Sequence, residues 1–106
     1  MIDEYAIQFA IEYLEGKFAS GEPADLIGML NHVDYHERVV MQRQELDEVL
    51  RKCPSVYVQR LDGRIIFTQS PGNREITDEE MKTSVQMYQD QFWAQYRELQ
   101  NRKTQP

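Results

Sequence analysis

Residues 55–70 read SVYVQRLDGRIIFTQS, two runs of alternating apolar and polar side chains around Asp62-Gly63. An Asp-Gly pair favours a two-residue type I′ turn, because both central positions need a positive φ that these residues tolerate best. Such a turn sets Leu61 opposite Arg64 and Val58 opposite Phe67. Val56, Val58, Ile65 and Phe67 then share one face, with Arg60 near its outer end, while Tyr57, Gln59, Leu61, Ile66 and Thr68 share the other. The first face belongs against a core. The second is too apolar to stand entirely bare, so some cover over it is expected.

The segments around this hairpin have helical periods. Ile7, Ile11, Leu14 and Phe18 recur at spacings of four, three and four, flanked by Ala6, Ala10 and Tyr13. Gly16 weakens that first helix and SGEP at 20–23 ends it, with Pro23 suited to the first turn of a second helix that runs to about Val33 and buries Leu26, Ile27, Met29 and Leu30. From Asp34 the reading forks. Asp34 with Glu37 fits a capping box that would start one helix over about 35–52, and this is the preferred reading; the other makes RVVMQ, with β-branched Val39 and Val40, a short strand or bend before a helix at 44–52. In either case Leu46, Val49 and Leu50 form an apolar stripe beside Glu45, Asp47, Glu48, Arg51 and Lys52, which are read as solvated, and Pro54 ends the helix.

After a turn at SPGN, 70–73, the run TDEE at 77–80 opens the last helix, with Thr77 as cap and Glu80 closing a capping box. Met81, Val85, Tyr88, Phe92, Tyr96 and Leu99 follow as one stripe to about Gln100, and Trp93 lies off it. The expected architecture is therefore α+β and mostly helical: three helices, a β-hairpin at about 55–70 and a long C-terminal helix. It forms one domain over 1–101, with 102–106 as a frayed tail.

Charge narrows the function classes. The chain of 106 residues carries a net charge of −6. The excess sits at the start, where Asp3, Glu4, Glu12, Glu15, Glu22, Asp25 and Asp34 face only Lys17, whereas residues 37–75 sum to +1 and 76–106 to −1. Nonspecific affinity for nucleic acid, which needs many Lys and Arg on phosphates, is disfavoured, although a local basic face is not. Cys53 is the single cysteine, so no internal disulfide forms. The acidic amino terminus is unlike a signal peptide, and no apolar run approaches the roughly 20 residues of a membrane span, so a cytoplasmic protein without membrane contact is expected.

Little in the sequence points to catalysis. His32 and His36 are four apart beside Asp34 and Glu37, but if Asp34 caps a helix then His32 lies outside it and the imidazoles need not share a face. Asp47/Glu48 and Glu79/Glu80 are adjacent on faces read as wet, and adjacent helical side chains diverge. No nucleophile triad or phosphate-binding glycine loop has a supporting context, so neither an enzyme nor a bound metal or cofactor is expected.

The order helix, helix, helix, hairpin, helix resembles a winged helix-turn-helix domain, with 44–52 as its third helix and 55–70 as its wing. That resemblance implies a third helix entering the DNA major groove and a wing reaching the backbone. The contacts would be Arg43, Gln44, Arg51, Lys52, Arg60 and Arg64, although Glu45, Asp47 and Glu48 are interposed and repel phosphate. Two functions follow as expectations. The first is a small noncatalytic protein-interaction module, a regulator, adaptor or inhibitor, whose acidic amino-terminal half meets a basic partner. The alternative is a winged-helix DNA-binding transcriptional regulator, dimeric through the last helix. Tyr88, Phe92, Trp93 and Tyr96 are the candidate homodimer contacts, with Trp93 at the rim.

Overall fold

The hairpin forms in the expected register. A computed structural model describes residues 2–104, and in it β2 (Tyr57–Leu61) and β3 (Arg64–Thr68) pair with Leu61 opposite Arg64 and Val58 opposite Phe67. Asp62 and Gly63 take φ of 51° and 76°, the left-handed values that the two-residue turn requires. Val56, Val58, Ile65 and Phe67 are buried, so the alternation specified the inward face correctly.

A third strand joins them. Ala24 and Asp25 form β1, antiparallel to β3 with Ala24 opposite Phe67 and Asp25 opposite Ile66, in the order β1–β3–β2. Pro23 therefore leads into a strand instead of opening a helix. The second helix starts later, at Leu26, with the Asp25 carboxylate accepting from the Gly28 amide at 2.6 Å. The first helix, α1 (Glu4–Ser20), passes through Gly16 and ends at Gly21, which is left-handed at φ 70°. Its Tyr13 hydroxyl accepts from the Asp25 amide at 3.1 Å and lies against Gly28, where an added Cβ would collide with that hydroxyl and approach Asp25 Oδ1 to 2.8 Å. Gly28 thus permits α1, β1 and α2 to meet closely.

The fork at Asp34 resolves against one helix over 35–52. α2 (Leu26–Glu37) carries Asp34 within its last turns and ends where Arg38 turns left-handed at φ 61°. Asp34 is not a cap, because its carboxylate accepts from the Tyr88 hydroxyl of the last helix. Residues 38–42 form neither helix nor strand, and α3 (Arg43–Lys52) begins anew. Glu45 supplies its start. Expected to be solvated, Glu45 is instead only 4% exposed, its two carboxylate oxygens accepting from the amides of Gln42 and Asp3, each at 2.7 Å. A buried carboxylate is tolerated here because both oxygens are hydrogen-bonded.

Arg74 secures the other end of α3. Its guanidinium donates to the carbonyls of Leu50, Cys53, Pro54 and Val56 and lies 5.9 Å from the Tyr57 ring centroid. It satisfies carbonyls left open at the helix end, and covers part of the hairpin's outer face. Thr77 and Glu80 make the expected reciprocal cap, at 3.0 and 3.1 Å, and α4 runs over Asp78–Thr104. The tail expected to fray from 102 is thus helical through Thr104, and its last two positions, 105–106, lie outside the described residues. The fold is α+β and mostly helical, with four helices and a three-stranded antiparallel sheet among the described residues. No helix among the described residues is long and apolar enough to cross a membrane.

Candidate functional site

The basic residues expected to meet DNA are held by acids. Arg43 Nε stands 3.2 Å from Asp47 and 3.7 Å from Asp78; Arg51 takes both oxygens of Glu48, at 2.9 and 2.6 Å; Lys52 lies 3.8 Å from Glu4. Arg60 grips both oxygens of Glu80, at 2.5 and 2.8 Å, and also donates to the Glu75 carbonyl. Arg64 lies 3.8 Å from Asp25. Gln44 is exposed on α3. The cross-strand register puts Arg60 on the inner face of the hairpin and Arg64 on the outer one, so a single patch around the turn is split. The pairing favours the ionised form of the acids. The Arg60 guanidinium, and then the Thr77 amide, pull the Glu80 carboxyl down to about 2, and Arg51 likewise lowers Glu48.

The two histidines are closer than expected. Both lie on α2, with ring centroids 4.4 Å apart, and Phe9 stacks on His36 at 4.8 Å. Burial, and then the neighbouring His36, lower the His32 pKa. No group of three or more His, Cys, Asp or Glu among the described residues is placed to share a metal ion. Of the carboxylate pairs, Asp47 is held by Arg43, Glu48 by Arg51 and Glu80 by Arg60, while Glu79 stands exposed on the first turn of α4. Burial raises the pKa of the Cys53 thiol, which disfavours the thiolate form.

The most distinctive surface is on α4. Met81 and Tyr88 are buried and Val85 half-buried where the helix crosses α2 and β3. Tyr88 is therefore part of the chain's own core, not a contact with a second chain. Its hydroxyl donates to Asp34, and burial together with that bond raises its pKa. Beyond it every residue from Asp90 to Arg102 is exposed, and the molecule measures 53 Å along its longest axis against 32 and 30 Å across. Phe92, Trp93, Tyr96 and Leu99 are 46, 55, 46 and 54% exposed.

At about 100° per residue, Phe92, Tyr96 and Leu99 prolong the line of Met81, Val85 and Tyr88. Trp93, Gln89 and Gln100 border that line on one flank, and Gln91, Gln95 and Arg102 on the other. Asp90 and Arg97 fall on the back, and Glu98 lies just behind the second flank, beside Gln91 and Arg102. Trp93 meets Phe92 and Tyr96 edge to face, each with ring centroids 5.7 Å apart, so the rings form a connected surface. A cleft of about 270 Å³ adjoins it, walled by Asn31, Asp34, Tyr35, Arg38, Tyr88 and Phe92. Tyr35, 75% exposed, extends the aromatic surface onto α2. The period of the stripe was legible in the sequence; the point at which it leaves the core was not.

Comparison with protein-family models, with curated proteins and with solved structures finds no match to this chain.

Proposed function

We propose that this chain is a small noncatalytic protein-interaction module whose recognition element is the distal half of α4. One observation carries the reading: a single apolar stripe begins in the core at Met81 and Tyr88 and continues, uncovered, through Phe92, Tyr96 and Leu99. An amphipathic helix presenting anchors at this spacing is the usual form in which a helix docks on a protein groove or on another helix. Large aromatic side chains supply most of the energy at such contacts. The acidic amino-terminal region gives long-range attraction toward a basic partner surface. Photo-crosslinking in living cells tests the reading, with benzoylphenylalanine placed at Trp93 or, as a control, at exposed Gln8. Discrete protein adducts from position 93 and none from position 8 are expected; silence at 93, or the same adducts from both, would overturn it.

The alternative is a winged-helix DNA-binding regulator, for which the support is the element order, α3 followed by the β2–β3 hairpin. The acid partners of Arg43, Arg51, Lys52, Arg60 and Arg64 weigh against it, since each would have to be displaced by phosphate. Affinity for mixed duplex DNA at low salt that falls steeply as salt rises would favour this alternative.

A further inference from the structure

The partner of the projecting helix can be specified further, resting on the reading of α4 as the interaction element. We infer that it is a second copy of this chain, the two distal halves pairing antiparallel about a twofold axis near Tyr96, midway along the exposed stripe.

The first ground is charge. In a twofold contact each residue near the axis meets its own kind, so a charged border repels itself. Here the stripe is bordered by Gln89, Gln91, Gln95, Gln100 and Trp93. Of the charged side chains between Asp90 and Arg102, only Arg102 borders it, at the far end from the axis, and Glu98 just behind that flank neutralises it at 2.7 Å. Antiparallel pairing also opposes the two helix dipoles.

The second ground is area. A large aromatic side chain carries roughly 150–250 Å², so Phe92, Trp93, Tyr96 and Leu99, each about half exposed, offer about 400 Å² of apolar surface per chain and about 800 Å² per pair. At the roughly 60% apolar share common at interfaces, that corresponds to about 1,300 Å² in total, within the range of specific stable contacts.

The third ground is helix stability. Residues 90–104 extend about 22 Å past the last core contact, and an isolated helix of that length is marginal in water. Burial against a second copy supplies the tertiary packing that the other described residues of this chain do not.

Sedimentation equilibrium of the purified chain at 100 µM is the primary test. A mass near twice 12.6 kDa is expected. Phe92→Glu, at a position that the monomer leaves exposed, should weaken association by ~100-fold or more while circular dichroism and thermal melting stay cooperative, because two charges enter the apolar seam. Orientation is read by disulfides in a Cys53→Ser background. Tyr96→Cys should oxidise to a covalent dimer, and Phe92→Cys mixed with Leu99→Cys should cross-link to each other better than either does to itself. A wild-type chain that stays monomeric at 100 µM overturns the second copy, as does self-linking of Phe92→Cys and Leu99→Cys in preference to the mixed pair. If position 93 nevertheless yields adducts with a different protein in cells, α4 remains the interaction element and only the identity of its partner is wrong.

Discussion

The two halves of α4 have the same periodicity and different surroundings. From Met81 to Tyr88 the stripe is pressed on α2 and β3, and Tyr88 reaches across 54 residues of sequence to bond Asp34. From Phe92 to Leu99 the stripe meets solvent. Apolar side chains at spacings of three and four record that a helix has a face to bury; they carry no mark of which molecule buries it. The proximal half is committed to the fold, and the distal half has area to spend elsewhere.

Substitutions along the helix probe this contrast. The largest expected effect is at Tyr88: Tyr88→Ala should destabilise the chain by about 3–5 kcal/mol in urea unfolding, by leaving a cavity and depriving Asp34 of its donor. A loss under about 1 kcal/mol would mean that the proximal half is not core. A smaller effect belongs to the helix start. Glu80, with its folded pKa held at about 2 by Arg60, is stabilised in the ionised form, so its contribution is full above pH 5 and is lost as pH falls toward 2. Both partners are partly open to solvent, so that contribution should be no more than about 1 kcal/mol. Glu80→Gln should flatten the acid limb of the stability profile between pH 5 and 2; an unchanged limb would show that the pair contributes nothing. The smallest effect is at the distal stripe: at submicromolar concentration, where association is dilute, Phe92→Ala should shift unfolding by no more than about 0.5 kcal/mol. A loss comparable to that of Tyr88→Ala would erase the distinction between the halves.

Local features were legible, and where the reading failed the determining partner was distant. Asp62-Gly63, the alternating strands and the Thr77–Glu80 box each involve groups within a few positions, and all form as read. The Asp34–Glu37 box had the same local credentials and does not form, because the hydroxyl of Tyr88 claims Asp34. Glu45 looked like one acid among several solvated ones, yet the amide of Asp3, 42 residues away, makes its burial tolerable. A two-residue strand such as β1 is too short for alternation to register, and only its pairing with β3 defines it. Arg74 was not singled out at all, since nothing near it in sequence shows that four carbonyls converge on its guanidinium.

The candidate site divides in the same way. Phe92, Trp93 and Tyr96 were recognisable as aromatic excess on one helix, while Tyr88, identical in pattern, proved to belong to the interior. The clustered cations were visible as charges, but their acid partners on α1, β1 and α4 were not.

By itself the sequence determined the period of each long element, the turn of the hairpin with its register, and the start of the last helix. These depend on the φ preferences of single residues and on contacts spanning one turn. The tertiary structure alone decided where α2 stops, which carboxylate could be buried, which cations are neutralised, and where along α4 the core ends. Each of those is set by the difference between water and a particular distant neighbour as surroundings for a side chain, and that difference exists only once the chain has folded.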